Sequence, residues 1–422
     1  MTIAALEALT FGLARLVEAA ANAGHRLALL TQDRAIYRHE LAQLPPDAAA
    51  LDIIDVDTGD EEATAKALAG LSDLRGLINS TDTWSVPGAD LAARFGLPGP
   101  DPASVRLLRD KYRVRNLLHE HGLSRGGALA VTADATSAAE VIRAVGLPAV
   151  LKDSAGTSSR NVWVVRDEHR LRTALTEAAQ QTLKGELFAE PFLAGPVYSA
   201  ETLSWTGNTR LLGVLSRQLS PEPAVREEAA AFPVALPESQ RALIQDWVGR
   251  VLSTAGHDSG FAHVEFVLTT EGPELVEINR RIGGAMVGEA LCRALDTNVY
   301  DAMVDTALGR RPALLDRPAL TGPATAFVLL YPDQPGTLTG WAGLDSLADF
   351  PGAPEWYPTA APGDRVEHLT DQRGCTGIVL AEGATAELAL HRALSAAGSV
   401  RPLIDTLDDR PHDRPHDRPD RP

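Results

Sequence analysis

The chain has 422 residues, 45% hydrophobic and 23% charged, the profile of a soluble globular protein of about three or four domains. Its formal charge of 39 − 56 = −17 argues against nonspecific nucleic-acid binding. No apolar run reaches the roughly 18 residues of a membrane helix, no signal peptide opens the chain, and Cys292 and Cys375 are too few and too separated for a disulfide framework or a zinc site. These features fit a cytoplasmic enzyme.

Residues 1–100 alternate short apolar strands with helices. An amphipathic helix spans Gly12 to Ala23 and stops at Gly24. Strands follow at Arg26 to Thr31, Ile53 to Val56 and Gly76 to Asn79, with a helix from Ala63 to Ala69. Such alternation predicts a parallel, doubly wound α/β domain. Leu97-Pro98-Gly99-Pro100 marks its end, and a charged helix is expected from Ala103 to His121. Residues 126–195 read as a small α/β unit, with a helix over Val141 to Val145 and strands at Ala149 to Asp153, Val162 to Val165 and Leu187 to Glu190. Residues 196–315 hold a hairpin and a long helix from Met286, and residues 316–407 a module of short strands and helices. The Asp-Arg-Pro-His repeats of 408–422 have nothing apolar to bury and read as disordered.

The hairpin is the most informative segment. Phe261-Ala262-His263-Val264-Glu265-Phe266 and Leu275-Val276-Glu277-Ile278-Asn279 alternate around a Thr-Thr-Glu-Gly-Pro turn. Period two places His263 with Glu265, and Glu277 with Asn279 and Arg281, on one face of each strand. Two carboxylates and an amide oxygen are hard ligands of the kind Mg²⁺ takes. The adjacent Arg281 suits a phosphoryl or carboxylate group. A solvated surface hairpin would alternate in the same way, but Val264, Phe266, Leu275, Val276 and Ile278 indicate a buried strand pair, whose charges need a partner or a metal.

Lys152 ends the apolar strand Pro148-Ala149-Val150-Leu151-Lys152 and precedes Ser154-Ala155-Gly156-Thr157-Ser158-Ser159. A strand, a lysine and a loop of Gly, Ser and Thr make a phosphate cradle, although a plain hairpin loop has the same composition. Asp110-Lys111 offers a second ammonium. Further on, Leu187-Phe188-Ala189-Glu190-Pro191-Phe192-Leu193 runs from a strand into a hinge that fits an adenine ring.

Taken in order, these motifs resemble the ATP-grasp superfamily over most of residues 1–310. Gly96-Leu97-Pro98-Gly99-Pro100, Ala155-Gly156-Thr157-Ser158-Ser159, Arg281-Ile282-Gly283-Gly284 and Phe327-Val328-Leu329-Leu330 resemble its L-amino-acid ligase branch. The resemblance implies an N-terminal Rossmann-like domain (1–100), a linker helix (101–125), a lid (126–195), a core antiparallel-sheet domain (196–315) and a C-terminal α+β module (316–407). It implies ATP and Mg²⁺, with Mn²⁺ as an alternative. Lys111, Lys152, Thr157, Ser158 and Ser159 would hold phosphates. Glu190, Phe192, Leu193 and Glu201 would hold adenine and ribose. Glu265, Glu277 and Asn279 would bind the metal, with Arg281 and Glu277 catalytic. Glu227, Arg281, Gly283 and Gly284 would meet the substrate, Glu227 from a loop of small residues as partner of an α-ammonium. The implied reaction joins an acid to an amine through an acylphosphate. Partners would be small molecules, not nucleic acid or membrane, and a homodimer is compatible. A biotin-carboxylase-like carboxylase and a nucleotide-binding regulator without turnover are the competing readings.

The chain departs from the family pattern at three places. Val197 stands where the family has a second acid after the hinge, Arg280 replaces a proline in Asn-Pro-Arg, and Ala230 occupies a position that is often histidine.

Overall fold

The computed structural model describes residues 1–44, 50–222, 224–317 and 321–406. The C-terminal repeats, with their expected disorder, lie outside the described residues.

Four parallel strands form the N-terminal sheet in the order Leu51–Asp55, Arg26–Thr31, Thr2–Leu6, Leu74–Ile78. The sequence reading lacked Thr2–Leu6, which is central and wholly buried. Its Thr-Ile-Ala-Ala-Leu run has no aromatic residue and two alanines, which are depleted in strands. Burial on both faces makes alanine acceptable there.

The expected helix from Ala103 to His121 is two helices, Pro102–Arg109 and Lys111–Glu120. Asp110 breaks it by taking an extended backbone and capping the second helix through Arg113 N. Asp101 caps the first, with Pro102 in its first turn. The break has a consequence for the site: Lys111 N, freed at a helix start, donates to Ser154 O of the polar loop.

The lid is a four-stranded antiparallel sheet in the order Leu129–Ala130, Leu187–Pro191, Ala149–Asp153, Val162–Val165, packed on helices Ala138–Ala144 and Glu168–Ala178. An eight-stranded sheet carries the rest. Its order is Gly272–Asn279, Gly260–Thr269, Val197–Trp205, Asn208–Leu219, Glu227–Phe232, Ala324–Leu330, Gly377–Gly383, Glu355–Pro358. Core and C-terminal strands thus share one sheet, joined where Ala229 faces Val328 and Ala231 faces Ala326. The expected long helix from Met286 is two short ones, Val287–Ala294 and Tyr300–Ala307, interrupted where Asp296 turns left-handed at φ 47°. This mixed α/β architecture, with a parallel N-terminal sheet and antiparallel sheets behind it, is the arrangement that the ATP-grasp resemblance implies. No described helix is long and apolar enough to cross a membrane.

Both cysteines are buried, and burial pushes each thiol up to about 11. At pH 7 only roughly one thiol in 10⁴ would be ionised. An aromatic disulfide reagent should therefore leave the native protein unlabelled and titrate two thiols in guanidinium. Fast labelling of either thiol in the native state would contradict this burial.

Candidate active site

A cavity of about 800 Å³ opens where the N-terminal domain, lid, core and C-terminal strands meet. That lies toward the upper end of the range of about 300–1,000 Å³ for small-molecule sites, large enough for a nucleotide. Its floor is the hairpin. The register sets His263 opposite Asn279 and Glu265 opposite Glu277, which brings the two carboxylates side by side. Both line the cavity.

Each carboxylate is held by cations. Glu277 pairs with Lys111 at 2.9 Å and accepts from Asn279 Nδ2 at 2.8 Å. Glu265 pairs with Arg217 and with His263 Nε2 at 3.3 Å. Burial raises the Glu265 carboxyl, but Arg217 and His263 outweigh it and hold it far below the usual range. Burial disfavours the charged imidazole of His263, yet Glu201 and Glu265 on its two nitrogens push it up to about 9.

Among the described residues, no group of three His, Cys, Asp or Glu side chains could hold a metal alone. Two in-register carboxylates on a cavity floor nevertheless fit a hard cation completed by phosphate and water. Asn279 lies behind Glu277, off the cavity wall. Turning its amide end for end would present oxygen where nitrogen now stands, the orientation a shared cation requires.

The polar loop faces this floor. Thr157, Ser158 and Ser159 line the cavity, and Ser158 and Ser159 are left-handed at φ 59° and 58°. Lys111 ties the loop to the floor by donating to Gly156 O at 2.6 Å. Lys152 lines the same wall and is ion-paired with Glu190. Three further cations gather here that sequence reading missed. Arg160 lines the cavity and Lys184 donates to Thr157 Oγ1 at 3.2 Å. Burial, then Arg160, Arg109 and Lys111, push the Lys184 ammonium below its usual range. An acidic protein has concentrated positive charge around one loop.

Several sequence expectations need correction. Glu190 lines the cavity, but its carboxylate is already paired with Lys152 and with Arg115, the latter at 2.9 Å, and so fixes Lys152. Phe192 N–H is already used by Pro148 O at 3.1 Å, which leaves the Leu193 backbone as the open edge of the hinge. Val150, Val164, Val197, Val267 and Val276 supply apolar walls beside it. Glu201 is not at the ribose. It is buried beneath His263, 2.6 Å from Nδ1, and off the cavity wall. Gly283 approaches protein rather than ligand, since a Cβ there would sit 2.7 Å from His263 Nδ1. Gly284 does line the cavity, with open space around it.

Glu227 belongs to the strand Glu227–Phe232, not to a loop. Its carboxylate takes Arg217 Nε at 3.0 Å and Gln372 Nε2 at 3.3 Å, so an incoming ammonium would compete with a guanidinium. The alanines that suggested a loop instead pack between neighbouring strands. Sequence reading also missed Arg217, which bridges Glu227 and Glu265, and Asp82, which orients Arg281 by accepting from its Nε at 3.0 Å. Burial raises the Asp82 carboxyl, but Arg281, Arg109 and Lys111 outweigh it. Asp82 lies just past the strand Leu74–Ile78, where a parallel sheet presents its ligand-binding edge. That rule could have found it.

Arg280 points away from the site. It donates to His257 Nδ1 at 3.0 Å while His257 Nε2 meets Gly260 O at 3.2 Å, which fixes a neutral imidazole. Burial and Arg280 push His257 down to about 3. The unfolded histidine binds its proton near 6.5, so between those values the unfolded state holds more protons, and folding is weakened as pH falls from 6.5 toward 3. His257→Gln keeps a donor and an acceptor but cannot titrate. The wild type should lose more denaturant resistance than His257→Gln between pH 7 and pH 5; equal losses would refute the assignment.

Comparisons with known proteins follow this geometry. Residues 145–289 match the ATP-grasp domain, and residues 328–405 match the L-amino acid ligase C-terminal domain 2. An uncharacterized protein of Sinorhizobium fredii is 27% identical, with 90% of this chain and 79% of that protein covered. Carnosine synthase 1 of Homo sapiens is 29% identical over 78% of this chain, which spans only 42% of that longer protein. The fold matches an L-amino acid ligase structure from Bacillus licheniformis with a TM-score of 0.79, at 19% identity, over 96% of this chain and 98% of that one.

Proposed function

We propose that this ATP-grasp chain, which carries an L-amino acid ligase C-terminal domain, is an ADP-forming ligase that joins the carboxylate of an amino acid or similar acid to an amine. The observation that carries the reading is the pairing of Glu265 with Glu277 beneath a cation-lined polar loop.

The apolar slot and the Leu193 backbone would take the adenine. Lys111, Lys152 and Arg160, with the backbone of residues 156–159, would take the phosphates. Glu265 and Glu277, with Asn279, would hold Mg²⁺, which when bound neutralises phosphate charge. Lys111 has two tasks, since it spans from the loop to Glu277 and would register the nucleotide against the floor. Arg281, fixed by Asp82, would stabilise negative charge on the transferring phosphoryl group without reorganising. A substrate carboxylate oxygen bonds to the γ-phosphorus as the bond to ADP breaks. The amine then attacks the acyl carbon, and phosphate and a proton leave. Gly284, with no side chain in the way, lets the backbone stand close to that carbon.

The reading is tested by measuring phosphate release with ATP, Mg²⁺ and amino acids singly and in pairs. Turnover that needs two substrates is expected; dependence on bicarbonate would favour a carboxylase. Glu277→Gln keeps the shape but removes one anionic oxygen and the partner of Lys111. It should abolish ADP formation while leaving the melting temperature within a few degrees. Turnover at the wild-type rate in limiting Mg²⁺ would sink the metal assignment.

A further inference from the structure

We infer, resting on the ligase reading, that one of the two amino-acid substrates carries an uncharged apolar side chain, received in a chamber shared by the N-terminal and C-terminal parts of the chain. The cavity has two apolar regions. One is the valine slot by the hinge. The other is built from Leu9, Phe11, Val287, Leu329 and Ile378, which belong to or pack against a single core cluster that contains none of the slot residues. Leu9 and Phe11 come from the loop after the first strand, while Leu329 and Ile378 come from neighbouring C-terminal strands. The chamber is contiguous with the floor, because Gly284 and Arg281 line the same cavity.

Exposure marks the mouth of this cavity as more than core. Seven large hydrophobic side chains are substantially exposed among the described residues, and two of them face this cavity: Ile36 at 42% and Leu219 at 37%. An apolar group left wet at a cavity mouth is desolvated when a ligand's apolar group meets it.

The charges on this side favour a neutral side chain. Arg38 pairs with Asp364 at 2.9 Å, Arg373 with Asp371 at 2.7 Å, and Arg217 with Glu227 at 3.0 Å. The remaining carboxylate there, Asp33, accepts from Ala35 N and caps a helical turn. A substrate aspartate side chain would have to break an existing pair to be satisfied, and the one carboxylate there without a cation, Asp33, is already engaged by Ala35 N.

The experiment measures phosphate release with ATP and Mg²⁺ for L-leucine, L-methionine and L-phenylalanine against L-aspartate and L-lysine, each combined with every other amino acid. The apolar set should exceed the charged set in kcat/KM by about tenfold or more. Ile36→Glu, at an exposed position that folding tolerates, should raise the KM of the apolar amino acid about tenfold and leave that of ATP within about twofold. Leu394→Glu, exposed on a helix that does not line the cavity, should match wild type. Preference for the charged set, or an unchanged KM in Ile36→Glu, would overturn the inference. Calorimetry with L-leucine, L-methionine and L-phenylalanine, in the presence of a non-hydrolysable ATP analogue and Mg²⁺, separates this inference from the ligase reading. Binding that Ile36→Glu abolishes, without phosphate release from any pair, would sink the ligase reading and keep the chamber. Absence of binding by all three would sink the chamber.

Discussion

Two like charges held together on a buried floor are the constraint around which this structure is arranged. Residues opposed across an antiparallel pair have Cβ atoms about 5 Å apart. Two carboxylates at that separation repel by about 3 kcal/mol at an effective dielectric of 20. The hairpin offsets only part of that by itself, so most of the compensation comes from elsewhere in the chain. Lys111 arrives from a helix start, Arg217 from a neighbouring strand and His263 from the hairpin itself. The floor carries the alternating row Glu201, His263, Glu265, Arg217, Glu227. Each member is paired with its neighbours in the row, with Ser199 and Gln372 adding hydrogen bonds at its two ends. Removing one would therefore strand a buried charge, which costs more than the pair contributes.

By the same arithmetic a bound cation would be favoured on this floor. A divalent ion between Glu265 and Glu277 would relieve their repulsion and partly release Arg217 and Lys111 toward anionic ligands. Protein cations and the metal are alternatives for the same oxygens. Nucleotide phosphates arriving with the metal would take up the lysine and arginine it displaces. Binding of metal and nucleotide should then be coupled through Lys111, which touches both the loop and Glu277.

What could be read from the sequence divides by range. Period two placed Glu265, His263, Glu277 and Asn279 on common faces, because alternation is a local property of the backbone. The polar loop after Lys152 was legible for the same reason. The partners of these residues were not. Asp82 and Arg281 are 199 positions apart, and only the packing of the N-terminal sheet against the core brings them together. Arg217 sat in a strand whose sequence neighbours, Ser216 and Gln218, gave no chemical signal. Glu227 was misread because three alanines suggest a loop, whereas between two crowded strands a small residue is what fits. Thr2–Leu6 was missed for the related reason that alanine is a weak strand former until both faces are buried.

Continuity of the large sheet gives the C-terminal module a role at the site. Strand Glu227–Phe232 hydrogen-bonds to Asn208–Leu219 on one side and to Ala324–Leu330 on the other. Arg217 and Glu227 therefore sit at one end of strands whose lateral neighbours bear Leu329 and Ile378. A rigid sheet fixes the distance between the charged floor and the apolar chamber, so under the proposed reading the reacting carboxylate and the side chain of a substrate would be measured against one frame. Short helical segments and loops complete the chamber: Gln372 reaches back to Glu227, and Arg38 spans to Asp364 across its rim. Chemistry placed on the sheet and selectivity placed partly on loops is a division that lets the second change while the first stays put.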